Sequence, residues 1–260
     1  MLRQLRVIGV VFVLHLKQVA VDLFVIFTVI VQPLIVAVLA IYMLRSKPGF
    51  EAIYVVVGSA LTGLWSGTLF FSAFNISFER WTGTLEEIVA SPTSLQIVII
   101  GKSLANAVLS FSSMIFGYTL AGLLFGFELT ISNLPAFIIS ALLTLLSLIA
   151  LGLVIAPFMS INIGANAWAN ALEFPMYILG GFLFPLALLP NWVTPISYFL
   201  APYWGARAMH GTSSGSVPFL DVLLSWGMMI IFIVAYMLLS SWLFKKLLHK
   251  ARVEATLGLQ

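Results

Sequence analysis

Few residues in this chain are of types that do chemistry, and their spacing excludes most of it. Residues 97–103 read I-V-I-I-G-K-S, the ending of a phosphate-binding loop, in which a glycine-rich backbone cradles phosphates and a lysine reaches them. The pattern G-x-x-x-x-G-K-[S/T] needs a glycine at residue 96, where the chain has Gln96. Its flanks are those of an apolar helix, so Lys102 reads as an anchor at the cytoplasmic face of a membrane. His15, His210 and His249 are scattered, and no H-x-x-x-H or paired-carboxylate spacing falls within an apolar stretch. The expectation is therefore no metal site and no catalytic residue. The absence of cysteine excludes disulfides, thiol nucleophiles, Cys-ligated zinc and iron–sulfur clusters.

One charged cluster is different. Glu79-Arg80-Trp81-Thr82-Gly83-Thr84-Leu85-Glu86-Glu87-Ile88-Val89-Ala90-Ser91-Pro92 concentrates charge where the surrounding chain has almost none. Thr84 followed three residues later by Glu87 has the form of a capping box, and Pro92 sits where such a helix stops. The segment reads as a short amphipathic helix with Leu85, Ile88 and Val89 on one side and acid on the other. A solvated loop is the alternative, but a plain connection needs only a few residues and no cap.

The elements that position these residues follow from the composition. Of 260 residues, 62% are hydrophobic and only 21 are charged, about 8% where a soluble domain carries roughly 25%. Whole intervals longer than 20 residues carry no charge, so the solvent is lipid. Dividing these intervals by the ~20 residues that cross ~30 Å of hydrocarbon gives an all-α, polytopic membrane domain over 1–260. Its six spans are 22–44, 52–78, 97–127, 134–156, 167–188 and 222–244. The 44 uncharged residues between Glu128 and Glu173 exceed one helix, and Pro157 with the polar run to Asn166 marks the break. Pro33, inside the first span, is expected as a tolerated kink.

Six spans put both ends on one side, and the run Lys245, Lys246, His249, Lys250, Arg252 puts that side in the cytoplasm. Nine of the 12 Lys and Arg then fall inside, and Arg45, Lys47 and Arg207 outside. The net charge of +3 thus reports membrane orientation rather than nucleic-acid binding. Residues 1–21 suit an amphipathic interfacial helix; a basic start and short apolar core also suit a cleavable signal peptide, but no A-x-A-like site follows. Residues 189–219 are apolar yet broken by Pro190, Pro195, Pro202 and Pro218. They read as short external helices dipping into the outer leaflet, with Trp192, Tyr198, Tyr203 and Trp204 at headgroup level.

This pattern resembles the membrane subunit of type-2 ABC exporters, whose permeases have six spans, an N-terminal interfacial helix and a cytosolic coupling helix between spans two and three. The motif E-R-x-x-G-T-L-E with a following S-P, here Glu79, Arg80, Gly83, Thr84, Leu85, Glu86, Ser91 and Pro92, is similar to that coupling element, which also takes in Glu87. Pro185, Leu189, Pro190, Trp192, Pro195, Ile196, Ser197, Pro202, Ala206 and Arg207 resemble the family's external re-entrant hairpin. Met209-His210-Gly211 follows where the family more often has an arginine–glycine pair. The G-T-L-E form is closer to the drug and lipid branch than to the polysaccharide branch.

The resemblance implies that this chain binds no cofactor. ATP and magnesium would be held by separate ABC ATPase subunits, and a second permease, identical or homologous, would complete the exporter. The expected cargo is lipid-like or amphipathic and drug-like, taken from the cytoplasm or inner leaflet of the cytoplasmic membrane. Glu173, nine residues past Gly164 and so ~14 Å deep at ~1.5 Å per residue, is a candidate for the substrate path. Its alternative is a hydrogen-bonded carboxyl that locks span five to a neighbour. A secondary carrier or channel is the rival reading, but such proteins commonly show inverted repeats and several intramembrane charges, and this chain shows neither.

Overall fold

A computed structural model describes residues 2–27, 31–44, 52–70, 76, 78, 79, 82–125, 130–161, 165–183, 186 and 189–253, and every regular element among them is helical. In chain order these are α1 (Leu2–Val19), α2 (Leu23–Ile26), α3 (Gln32–Leu44), α4 (Ala52–Trp65, continued by a π-turn over Ser66–Phe70) and α5 (Leu85–Ala90). They are followed by α6 (Leu95–Phe125), α7 (Leu134–Ile161), α8 (Ala165–Leu179), α9 (Thr194–Tyr198), α10 (Ala201–Ser214) and α11 (Phe219–Val253). Among the described residues three helices are long and apolar enough to cross a membrane, through Leu95–Ser112, Leu134–Pro157 and Phe219–Leu247.

The packing is that of a protein dissolved in lipid. α11 turns Leu224, Ile231 and Leu238 outward while Ser225 and Ser240 are fully buried, the reverse of a soluble helix. Buried hydroxyls satisfy themselves along their own helices: Thr62 Oγ1 donates to Ser59 O at 2.7 Å, Ser140 Oγ to Ala136 O at 2.8 Å and Thr144 Oγ1 to Ser140 O at 2.7 Å. Small polar residues therefore let helices approach while leaving few unpaired hydroxyls, Ser110 Oγ on α6 being one that has no partner among the described residues. α7 lies along α10 and α11, and α6 holds α1 and α4. Leu61, Leu64, Trp65, Ile99, Leu148, Leu153 and Met209 form the shared core.

Several expected boundaries move, each for a physical reason. The interval 22–44 forms two helices, with Pro33 in the first turn of α3, where its missing N–H has no intrahelical partner to lose. Pro157 does not end the fourth apolar helix, which runs on to Ile161. Proline leaves the carbonyl four residues earlier without its N–H donor, and here Ser240 Oγ on α11 donates to Leu153 O at 3.1 Å. α8 stops at Leu179 rather than 188. Gly181, at φ 65°, carries a closing turn in which Phe182 N bonds Tyr177 O and Gly181 N bonds Ile178 O at 3.2 and 3.1 Å, a left-handed cap that glycine adopts without penalty. At 15 residues, α8 is about 22 Å long, so a crossing here takes in chain beyond the helix itself. α11, by contrast, extends past both edges of 222–244.

The ends of the bundle can be distinguished. Gln96 Nε2, in the first turn of α6, donates to Ser241 Oγ at 3.1 Å, and Trp226 Nε1 near the start of α11 donates to Ser140 Oγ at 2.9 Å. α11 is thus antiparallel to α6, and its last turns, with Lys245 and Lys246 exposed, pass beyond the α6 start at the end that holds α5. At the opposite end, Ser132 N and Asn133 N bond Ser213 O and Thr212 O at 3.0 and 3.1 Å. α10 runs back from there, antiparallel to α7, until Gly205 meets Thr144.

Candidate functional site

The helix within the charged cluster is short and its faces are distinct: Leu85 is buried, Ile88 and Val89 are half-buried, and Glu86 and Glu87 face outward. Gly83, at φ 74°, turns the chain into it through the left-handed region that glycine favours. Ser91 is extended ahead of Pro92 and its hydroxyl donates to Ile88 O at 2.7 Å, ending the helix at Ala90.

The capping box does not form. Thr84 has helical backbone angles rather than those of an N-cap and makes no side-chain cap; its hydroxyl donates to the carboxylate of Glu79. That carboxylate is buried and ion-paired with Lys102 of α6. Lys102, expected as an anchor at the cytoplasmic face, is a buried, inward-facing partner two turns into α6. Glu79 likewise faces the protein rather than water, while Arg80 and Trp81 lie outside the described residues. One carboxylate therefore joins the chain leading into α5 to the body of α6.

α1 reaches the same region by packing along α6, with Gly101 against the backbone of Ile8 and the side chain of Val11. His15 is buried, and its Nε2 donates to Asn106 Oδ1 at 3.1 Å. Burial, and then the Lys102 ammonium, push the His15 imidazole down to about 4, so it sits beside the lysine without adding a second positive charge.

Glu173 gathers a polar group on the other side of the core. Ser66 Oγ, in the first position of the π-turn, donates to Glu173 Oε1 at 2.8 Å, and Gln32 Nε2 of α3 donates at 3.4 Å. Tyr177, one turn along α8, also donates to Oε1, and its hydroxyl oxygen lies 2.7 Å from Ser66 Oγ. Single π-turns recur at functional positions in helices, and this one places Ser66 on the carboxylate. Sequence reading singled out Glu173 alone. The i, i+4 relation of Glu173 and Tyr177 was a signal that would have found the tyrosine; nothing local marks Ser66 or Gln32.

The segment 189–219 forms a helical hairpin of α9 and α10. Pro195 and Pro202 each occupy the first turn of a helix, where proline is pre-organised, and Pro190 O closes the preceding turn to Val193 N at 2.9 Å. Trp192 is exposed, but Trp204 is buried against Ala208 and Met229, so it packs protein rather than headgroups. Arg207 pairs with Asp221 at the start of α11 at 3.3 Å. His210 stacks on Tyr54 of α4 with ring centroids 3.7 Å apart and donates to Phe182 O at 2.9 Å, tying the hairpin to α4 and the turn after α8. Pro185 lies outside the described residues.

No group of three or more His, Asp or Glu among the described residues could hold a metal ion. No curated protein matches the chain at a level that identifies a relative. A family model described as "ABC-2 family transporter protein" matches residues 40–242, which take in the charged cluster, Glu173 and the whole helical hairpin. With lipid-facing apolar helices and a match over most of its length, the chain belongs to the ABC-2 transporter family and is a membrane permease subunit of an ABC transporter.

Proposed function

We propose that the chain is the membrane half of an ATP-driven exporter and that residues 79–92 receive the motion of a separate ATPase subunit. The observation that carries this reading is the construction of α5. It presents Glu86 and Glu87 outward, buries Leu85, and is tied through Thr84 and Glu79 to Lys102 of α6. A push on α5 is thereby delivered to a helix of 31 residues, about 46 Å long. Closure of the ATPases around ATP and magnesium would tilt this strut and open an apolar path between two permease protomers, identical or homologous, towards the outer leaflet. An apolar path suits a lipid-like or amphipathic, drug-like cargo.

In this reading the chain crosses the cytoplasmic membrane six times with both termini in the cytoplasm. Nine of 12 basic residues lie on that side, as orientation by positive charge requires, and α5 shares its end of the bundle with exposed Lys245 and Lys246. The hairpin bearing Pro190, Trp192, Pro195, Pro202 and Arg207 would form the external re-entrant element.

The test is ATP hydrolysis by the cognate ATPase co-purified with this chain in lipid nanodiscs. Glu86→Ala combined with Glu87→Ala is expected to lower permease-dependent hydrolysis about tenfold, equivalent to ~1.4 kcal/mol of coupling, while leaving the fold intact because both carboxylates are exposed. Failure to assemble any ATPase complex, or activity indifferent to the double substitution, would overturn the exporter reading in favour of a carrier.

A further inference from the structure

Among the described residues Gln32, Ser66 and Tyr177 donate to the Glu173 carboxylate, all to the same oxygen, Oε1. No lysine or arginine among the described residues lies within ion-pair distance of it; the two ion pairs there are Lys102–Glu79 and Arg207–Asp221. Glu173 is only half-buried, and next to it α8 turns Phe174 and Ile178 outward, 68% and 42% exposed. The Phe174 and Tyr177 rings meet edge-on, with centroids 6.0 Å apart. The carboxylate thus stands at the edge of an apolar face beside an aromatic corner, oriented by these donors and, among the described residues, without a cation.

We infer that Glu173 receives the positive charge of an amphipathic organic cation, an alkylammonium-type group on an apolar body, as the charge-selecting element of the transport path. This deepens the exporter reading and rests on it for the word transport. The chemistry selects the class. An anion would meet a carboxylate in a medium that screens poorly. A hard metal ion needs six or more oxygen ligands, but the groups around Oε1 have their hydrogens turned towards it and offer one carboxylate in all. An organic cation needs only one counter-charge, and the exposed Phe174 ring supplies cation–π attraction where water is scarce. The exposed apolar face of α8 would take the body of the same molecule.

The experiment is equilibrium binding of radiolabelled tetraphenylphosphonium to the full-length chain in phosphatidylcholine nanodiscs, with tetraphenylborate as a competitor of nearly the same shape and opposite charge. Wild type is expected to bind the cation saturably, Glu173→Gln to bind it about tenfold or more weakly, and Glu173→Asp to retain part of the affinity. Glutamine keeps an acceptor for Gln32, Ser66 and Tyr177, so this variant is expected to fold, as unchanged elution and melting would confirm. Equal binding by wild type and Glu173→Gln, or equal displacement by tetraphenylborate, would overturn the inference. So would a wild type that binds no cation but loses self-association on Glu173→Gln, because the carboxylate would then serve a second copy. The assay contains no ATPase: Glu173-dependent binding without any ATPase coupling would keep the site and discard the exporter, whereas ATPase coupling through Glu86 and Glu87 with no cation binding would do the opposite.

Discussion

Lys102→Met, with Glu79 left in place, is expected to destabilise the folded chain by about 3–5 kcal/mol, the largest effect of any single substitution described. The two side chains are 10% and 8% exposed, so removing the ammonium leaves a buried carboxylate whose desolvation is no longer offset. Only the Thr84 hydroxyl would remain on it. Removing both charges removes the conflict: Glu79→Gln with Lys102→Met is expected to recover most of the lost stability, since glutamine still offers Thr84 an acceptor. Thermal unfolding of the four proteins in one detergent, read as a double-mutant cycle, measures the coupling. Equal losses for the single and double variants would show that the ion pair is not the source of the effect. The same cycle bears on coupling, because the charge-free double variant restores stability without restoring the tie between α5 and α6.

Gly58→Ala is expected to cost about 1–3 kcal/mol, even though alanine is the better helix former and would gain up to ~1 kcal/mol at an unhindered site. A Cβ at residue 58 would stand 2.2 Å from Phe182 O, 3.0 Å from Phe182 C and 3.3 Å from Leu183 Cα. All three are backbone atoms, so the turn after α8 has to move as a unit. That turn is held by His210, which donates to the same Phe182 oxygen at 2.9 Å, and by the buried Phe182 ring packed edge-on to Trp65. The strain therefore spreads into α10 and the centre of the core. Gly227→Ala, on α11 with nothing within 4 Å of its Cβ, is the control and is expected to be neutral or stabilising. Comparison of the two melting temperatures checks the prediction; a Gly58→Ala protein as stable as the control would mean that the turn yields freely.

The sequence by itself determined the solvent and the kind of structure. With so few charges, long neutral intervals have only one way to satisfy their backbone in lipid, which is helix, and α6, α7 and α11 fall where those intervals lie. The α5 segment was legible for the same reason in reverse: Glu86 and Glu87 cannot enter lipid, and Ser91-Pro92 cannot continue a helix. Interrupted elements were less legible. Pro157 looks like a boundary until Ser240, on another helix, supplies the donor that proline removes, and the helix of α8 ends at the Gly181 cap, short of the expected 188.

Tertiary structure alone decided which polar groups meet. Thr84 has the local pattern of a cap, but its backbone takes helical angles and its side chain is held on the buried Glu79 carboxylate. Glu79 and Lys102 belong, by sequence, to two different segments near one membrane face, and only the packing of α6 against the chain leading into α5 makes them a pair. Glu173 could be picked out as one carboxylate in an apolar stretch, and Tyr177 lies one turn along the same helix, but Gln32 and Ser66 come from α3 and the π-turn, brought in by a fold that no local periodicity records. The physical reason is general to this chain: solvent choice and helix formation are set by composition and neighbouring residues, whereas in a medium without water each buried polar group must find its partner wherever packing delivers one.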